Sequence, residues 1–198
     1  MKQEELTNAI KAVENGEIIV YPTDTLYALG ANIFNEEVIK KLFKIKKRPI
    51  SVPLPVAVFD SNDLNKIAYI NKKTKKIINN FLPGPLTLLL KKKKTIPEIV
   101  TSGRDTIALR IPDNKIALEL LSKTGPITAT SANIHGKKTG LIVDNLKKEF
   151  QNNVSIFLDD GLLDNSPSTI LDLTTDNPII IRQGEIKIEQ IMKVIKHE

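Results

Sequence analysis

Residues 17–30 read Glu-Ile-Ile-Val-Tyr-Pro-Thr-Asp-Thr-Leu-Tyr-Ala-Leu-Gly, and the break at Pro22 sets the fold class. After the Asn15-Gly16 turn, Ile18, Ile19, Val20 and Tyr21 make a β-branched and aromatic run of the kind that packs inside a sheet. Proline has no N–H to give to a ladder, so this strand is predicted to stop at Tyr21. Thr23, Asp24 and Thr25 then set two hydroxyls and a carboxylate at its carboxyl end, where open α/β sheets bind ligands. An ordinary polar turn uses the same residues. The rest of the chain decides between the two.

Working outward, strand and helix patterns alternate. Leu6, Ala9, Ile10 and Val13 follow the spacing of one helical face, closed by Asn15-Gly16. Asn35 is placed to cap a second helix with Val38, Ile39, Leu42 and Phe43 inside, and Pro49 is expected to force the chain out of it. Val56–Phe59 reads as a short strand, and a helix from Asn71 buries Ile77, Ile78, Phe81 and Leu82. Leu86–Leu90 is too continuously apolar to face water and is predicted mid-sheet, with Lys91–Lys94 as its hairpin connection. Further strands are expected at Thr106–Ile111, Gly125–Thr130, Val154–Leu158, Ser168–Leu173 and Ile179–Arg182. Helices are expected at Lys115–Leu121 and around Ile188, Ile191, Met192 and Ile195. No linker or fixed-period repeat divides the chain, so residues 1–198 are taken as one α/β domain.

The composition narrows the class. The chain has 198 residues, 41% hydrophobic and 26% charged, enough for an ample core and incompatible with disorder. Without cysteine, and with only His135 and His197, it has neither a disulfide framework nor a structural zinc cluster. The polar start Met1-Lys2-Gln3-Glu4-Glu5-Leu6 and the lack of a long apolar run point to a cytoplasmic protein without signal peptide or membrane span. A net charge of +6 favours an anionic partner. Of 29 basic residues only Arg48, Arg104, Arg110 and Arg182 are arginines, and all four fall in turns or at strand ends. A guanidinium fork suits phosphate and carboxylate, although Arg104 reads equally well as a surface residue.

Neither a Walker loop nor a Gly-x-Gly-x-x-Gly turn occurs, so any bound nucleotide must rely on side chains. The ordered set Tyr21-Pro-Thr-Asp-Thr-Leu-Tyr27, Lys46-x-Arg48-Pro49, Pro83-Gly-Pro-Leu-Thr87, Arg110-x-Pro112, Ser131-Ala-Asn133, Ser168-Thr-Ile170 and Arg182-x-Gly184 closely resembles the YrdC/TsaC family. That resemblance implies a single α/β domain with a twisted mixed sheet and flanking helices around a basic concave cavity. It implies an L-threonylcarbamoyladenylate synthase, joining L-threonine, bicarbonate or CO2, and ATP with release of pyrophosphate. The product would pass to a separate protein that modifies tRNA. Carried over by motif, Lys46, Arg48, Ser131 and Asn133 are the catalytic set. Lys46, Arg48, Thr106, Ser131, Thr139 and Arg182 are the ATP set, and Thr23, Thr25, Arg110, Ala129 and Ser168 the threonine set.

These residues suit that chemistry. A carbamate attacking the α-phosphorus brings anions together and calls for fixed positive charge. If Pro49 keeps the backbone extended, Lys46 and Arg48 project from the same side as a point charge and a fork. Ser131 and Asn133 offer a hydroxyl and an amide to phosphate oxygens. Ser131 lacks the surroundings of a hydrolytic nucleophile, and His135 reads as a loop residue. No acidic pair forms a magnesium cage, so Mg2+ is expected to arrive on ATP. Two positions depart from the family pattern: Ala28 stands where a glycine is usual, and the Val56-Ala57 strand lacks a histidine. The rival readings are a double-stranded RNA-binding module, for which strand-end hydroxyls have little use, and a carbamoyl-adenylating domain of hydrogenase maturation, whose chains are longer and carry cysteine. Any RNA binding is expected to be weak and steeply salt-dependent, since lysines would supply it, whereas tight, salt-insensitive binding would favour the RNA-binding module.

Overall fold

The computed structural model describes residues 3–196, so Met1, Lys2, His197 and Glu198 lie outside it. Helix α1 (Gln3–Glu14) leads into strands β1 (Ile19–Tyr21) and β2 (Ala28–Gly30), then helix α2 (Glu36–Lys46) and strand β3 (Val56–Ala57). Helices α3 (Ser61–Ile67) and α4 (Lys72–Phe81) precede β4 (Leu86–Lys91), the short α5 (Glu98–Thr101) and β5 (Thr106–Arg110). Helix α6 (Lys115–Thr124), strands β6 (Ile127–Thr128) and β7 (Thr130–Ser131), and helix α7 (Val143–Phe150) follow. The chain closes with β8 (Ile156–Phe157), β9 (Thr169–Asp172), β10 (Ile179–Arg182) and α8 (Ile188–Lys196).

The strands form mixed α/β layers with flanking helices, as expected, and sort into two sheets: a four-stranded sheet in the order β7-β2-β1-β8 and a six-stranded sheet in the order β10-β9-β4-β5-β3-β6. β1 ends at Tyr21, as Pro22 requires. β2 then returns antiparallel, with Tyr21 opposite Ala28 and Ile19 opposite Gly30. Ala28 is an ordinary strand residue; among the described non-glycine residues the left-handed conformation is taken by Lys47 and Ser102. One apolar core joins the inner faces of both sheets, with Val20 and Leu29 packed in the same cluster as Leu88 and Leu109. A second cluster seats α1 and α6 on the outside of the small sheet through Leu6, Val13, Tyr21, Ala57 and Leu120.

The larger sheet has one buried and one open face. In β4 and β5, Leu88, Leu90, Ile107 and Leu109 are buried, while the alternate residues Leu89, Ala108 and Thr106 are partly open. Leu89 pairs with Ala108 and Lys91 with Thr106, so these share the open face, and Arg110 follows on it. Lys91–Lys94 does not form a tight hairpin. β4 and β5 are antiparallel neighbours, but residues 92–105 join them through α5, and Lys92 is tied to Glu98 at 2.7 Å.

Helix α2 ends differently from the expectation. Asn35 caps it by accepting the Val38 N–H. Its stop, however, is Lys47 in the left-handed region, where Lys47 N–H reaches Lys44 O and Arg48 N–H reaches Phe43 O. That double closure ends the helix before Pro49 acts.

Candidate active site

Two groups of polar residues gather where the sheets meet. The first surrounds Arg110 at the end of β5, which is 5% exposed. Its NH2 donates to Asp24 Oδ1 at 2.6 Å and its NH1 to Thr25 Oγ1 at 3.0 Å, so the loop after β1 closes onto the end of the larger sheet. Thr23 Oγ1 lies 3.0 Å from Thr25 Oγ1 and accepts the N–H groups of Thr25 and Leu26, which makes this turn rigid and nearly dry. Next to Arg110 in register, Thr87 holds Ser168 through a 2.8 Å hydroxyl contact. Arg182 donates from Nε and NH2 to Ser168 O at 3.2 and 2.8 Å. Thr23, Thr25, Arg110 and Ser168 are therefore brought together, and Arg182 joins them. Ala57 pairs with Arg110 and is wholly buried, so the missing histidine is replaced by packing.

The second group is built around Lys46, which is 1% exposed. Its Nζ donates to Ser131 O at 2.5 Å, Asn133 O at 2.7 Å and Asn133 Oδ1 at 3.3 Å, which uses all three ammonium hydrogens. Ser131 Oγ donates to Asn133 Oδ1 at 2.6 Å, and the Asn133 amide donates to Ile134 O and Lys137 O. Lys46 is thus the clamp of the Ser131–Asn133 turn. Burial, then the neighbouring Arg48 charge, lowers its pKa from the usual lysine value to about 7, while Glu149 on α7 opposes the shift. Arg48 donates from Nε to Val52 O at 3.0 Å and from NH2 to Pro53 O at 2.8 Å, and its NH1 lies 3.4 Å from His135 Nδ1. Lys46 and Arg48 do not project from an extended strand. One lies on a helix and the other beyond its left-handed cap, and the bend turns both toward residues 131–135.

Pairing across the small sheet sets the separation of the two groups. Ser131 lies opposite Ala28 and Ala28 opposite Tyr21, so Ser131 is two strand spacings, about 10 Å, from Tyr21, where β1 ends ahead of the Thr23–Thr25 turn. Tyr21 and Tyr27 brace that row. Tyr21 donates to Thr128 O at 3.0 Å, while the Tyr27 hydroxyl lies 2.8 Å from Gly161 O and accepts the Asp160 N–H. Burial raises both phenols, that of Tyr27 to about 12, so they act as fixed donors.

Other sequence-selected residues stand apart. Thr106 shares the open face with Arg110 but sits four residues away, roughly 13 Å. Thr139 lies on the loop entering α7, and Ala129 lies between β6 and β7 with its N–H on Pro55 O. Arg104 is exposed in the loop before β5. Four neighbours were not selected from the sequence: Asp24 and Thr87, both within quoted motifs, His135 beside Arg48, and Glu149, which accepts the Ile134 N–H.

The Sua5/YciO/YrdC family profile, described as telomere recombination, matches residues 11–184. The chain belongs to the Sua5/YciO/YrdC family. Its family relatives include a putative threonylcarbamoyl-AMP synthase of Methanocaldococcus jannaschii, 45% identical over 184 residues that make up 92% of this chain and 87% of that one. The threonylcarbamoyl-AMP synthase of Pyrococcus abyssi is 36% identical over 186 residues, covering 92% of this chain and 55% of the longer relative. The crystal structure of P. abyssi Sua5 complexed with L-threonine superimposes with a TM-score of 0.93 at 34% identity, over 99% of this chain and 58% of that one. Escherichia coli YciO gives 0.89 at 29% identity, over 96% and 94%.

Among the described residues no group of three or more His, Asp or Glu could hold a metal ion. The donors with hydrogens left beside this turn belong to the Arg48 guanidinium, since Ser131 Oγ and Asn133 Nδ2 donate to Asn133 Oδ1, Ile134 O and Lys137 O, and a guanidinium suits phosphate oxygens. No helix among the described residues is long and apolar enough to cross a membrane.

Proposed function

We propose that this chain condenses L-threonine, bicarbonate or CO2, and MgATP to threonylcarbamoyl-adenylate, releasing pyrophosphate. The observation that carries the reading is that Arg110 grips the Asp24-Thr25 turn after β1 while Lys46 grips Ser131 on β7, and Tyr21 and Ser131 stand two strand spacings, about 10 Å, apart on one row of strands. Likeness to a Sua5 complexed with L-threonine supports it. Arg110, Thr23, Thr25 and Ser168 take the amino acid, and Arg182, tied to Ser168, sits where the two substrates meet. The carbamate oxygen forms a bond to the α-phosphorus as the bond to the β-phosphate oxygen breaks, and pyrophosphate leaves with the electron pair. Arg48 and the Ser131–Asn133 turn stabilise the charge that develops there. Lys46 holds the turn without spending a hydrogen on the ligand, and adds a buried positive charge only while it keeps its proton, below about pH 7. Thr106 and Thr139 extend the ATP side along the open face and the α7 loop. Magnesium enters as part of MgATP.

The product passes to a separate protein that transfers the threonylcarbamoyl group to adenosine in tRNA, in the cytoplasm where both ATP and tRNA are available. RNA binding by the chain itself is weak and salt-dependent, because lysines supply it. The test is pyrophosphate release by the pure protein with MgATP, bicarbonate and each amino acid in turn. Release that needs threonine and bicarbonate together is expected. Equal release without threonine would refute the reading.

A further inference from the structure

The ion pair at the bottom of the amino-acid pocket is incomplete. Asp24 Oδ1 accepts from Arg110 NH2 at 2.6 Å, but Asp24 Oδ2 and Arg110 Nε have no hydrogen-bond partner and no contact with solvent. A buried acceptor and a buried donor left open in one salt bridge are costly unless a ligand completes them. The Asp24 backbone is pinned, since its carbonyl accepts from Asn165 Nδ2 at 3.0 Å. Its side chain, 11% exposed, is held only through Oδ1, so turning about its last bond would bring Oδ2 round at the cost of that one contact. The flanking hydroxyls of Thr23 and Thr25 are already engaged with Leu26 O and with Arg110, so Asp24 is the anionic group left in this turn.

An α-amino acid carries the matching pair of charges on one carbon: a carboxylate for Arg110 and an ammonium for Asp24. We propose that Asp24 receives the amino group of the substrate, trading its contact with Arg110 for one to the ligand's ammonium; this deepens the proposed function and rests on it. A ligand with a carboxylate but no amine would instead bring two anions together beside Arg110, so Asp24 also rejects simple hydroxy acids. The charge at the substrate nitrogen then reverses during the reaction. One carbon–nitrogen bond forms to CO2, two protons leave to solvent, and the ammonium becomes an N-carboxylate. Asp24 repels that product, and of the described positive charges around the site those without an acidic partner lie at Arg182, beside Ser168, and beyond it across the strand row at Arg48. The same carboxylate that seats the amine therefore directs the carbamate toward the phosphate side.

The test is calorimetric titration of wild type and Asp24→Asn with L-threonine and with 2,3-dihydroxybutyrate, which has a hydroxyl in place of the amine. Wild type is expected to prefer threonine by roughly tenfold or more. Asp24→Asn is expected to weaken threonine by roughly tenfold to a hundredfold and to leave the hydroxy acid unchanged or tighter. Equal weakening of both ligands would overturn the proposal, since Asp24 would then act only by holding Arg110. Unchanged threonine affinity would overturn it as well. If Asp24→Asn fails to fold, the wild-type comparison decides: equal affinity for the two ligands defeats the idea. Threonine binding that depends on Asp24 without pyrophosphate release would sink the synthase reading alone, whereas no threonine binding at all would sink both.

Discussion

Replacing Arg48 by lysine separates the two things that this residue does. Arg48 Nε and NH2 hold the carbonyls of Val52 and Pro53 at 3.0 and 2.8 Å, which leaves NH1 and the second NH2 hydrogen for a ligand. A single ammonium can keep one of those carbonyl bonds or reach a phosphate oxygen, but it cannot reproduce the fork. Losing one charge-assisted bond at a half-buried position costs about 1 kcal/mol, near the lower end for such bonds because water can reach the carbonyl. In a chain of this size that is a fall of about 2 to 4 °C in Tm. The loss in catalysis is larger. Removing one preorganised donor costs about 2 to 4 kcal/mol, or roughly thirtyfold to a thousandfold in kcat. Pyrophosphate release at saturating MgATP and threonine measures the second quantity, and thermal melting measures the first. A kcat within about threefold of wild type would show that the fork is dispensable and that the phosphate site lies elsewhere.

Two further variants test the scaffold. A Cβ built on Gly184 would lie 2.2 Å from Pro167 O and 2.5 Å from Thr169 N, both backbone atoms, so Gly184→Ala must push the Ser168 segment aside. The expected result is about 1 to 3 kcal/mol of lost stability by urea unfolding together with a raised threonine KM; an unchanged KM would show that Ser168 does not need its present position. Lys46 loses its proton in the folded chain at about pH 7, whereas the unfolded lysine holds it to about 10.5. Between those limits the unfolded state binds more protons, so stability gains up to about 1.4 kcal/mol per pH unit as pH rises. The gain, read by urea unfolding at several pH values, should vanish in Lys46→Met, and parallel curves for the two proteins would refute the buried-ammonium account.

Much of the frame was legible because it rests on local rules. Pro22 ends β1 where its missing N–H requires, and the Arg110, Ser168 and Arg182 positions at strand ends emerge as neighbours. The division into two sheets was not legible, since β2 is three residues long and Tyr27-Ala28-Leu29-Gly30 resembles loop in isolation. Its pairing with β1 and β7 makes it a strand, and pairing partners are not a property of the segment. α3 and α7 escaped for a related reason. Each is short and polar on most of its surface, and their burial comes from Leu64 and Leu146 meeting a core contributed by other elements.

The chemistry of the site was harder to read than its location, because a motif names side chains but not the hydrogens they have left. Lys46 belongs to the cationic set by pattern, yet its three donors end on Ser131 and Asn133. In the proposed reaction its part would therefore be indirect, through the turn that it fixes. Asp24 shows the opposite case. It looks like a turn residue in sequence, but in the fold one of its oxygens is consumed by Arg110 and the other is stranded. An anion site with its donors spent and an amino-acid site with an acceptor unspent are distinguishable only once every polar atom has been accounted for. That accounting is why we propose Lys46 as support for the turn and Asp24 as a contact for the ligand.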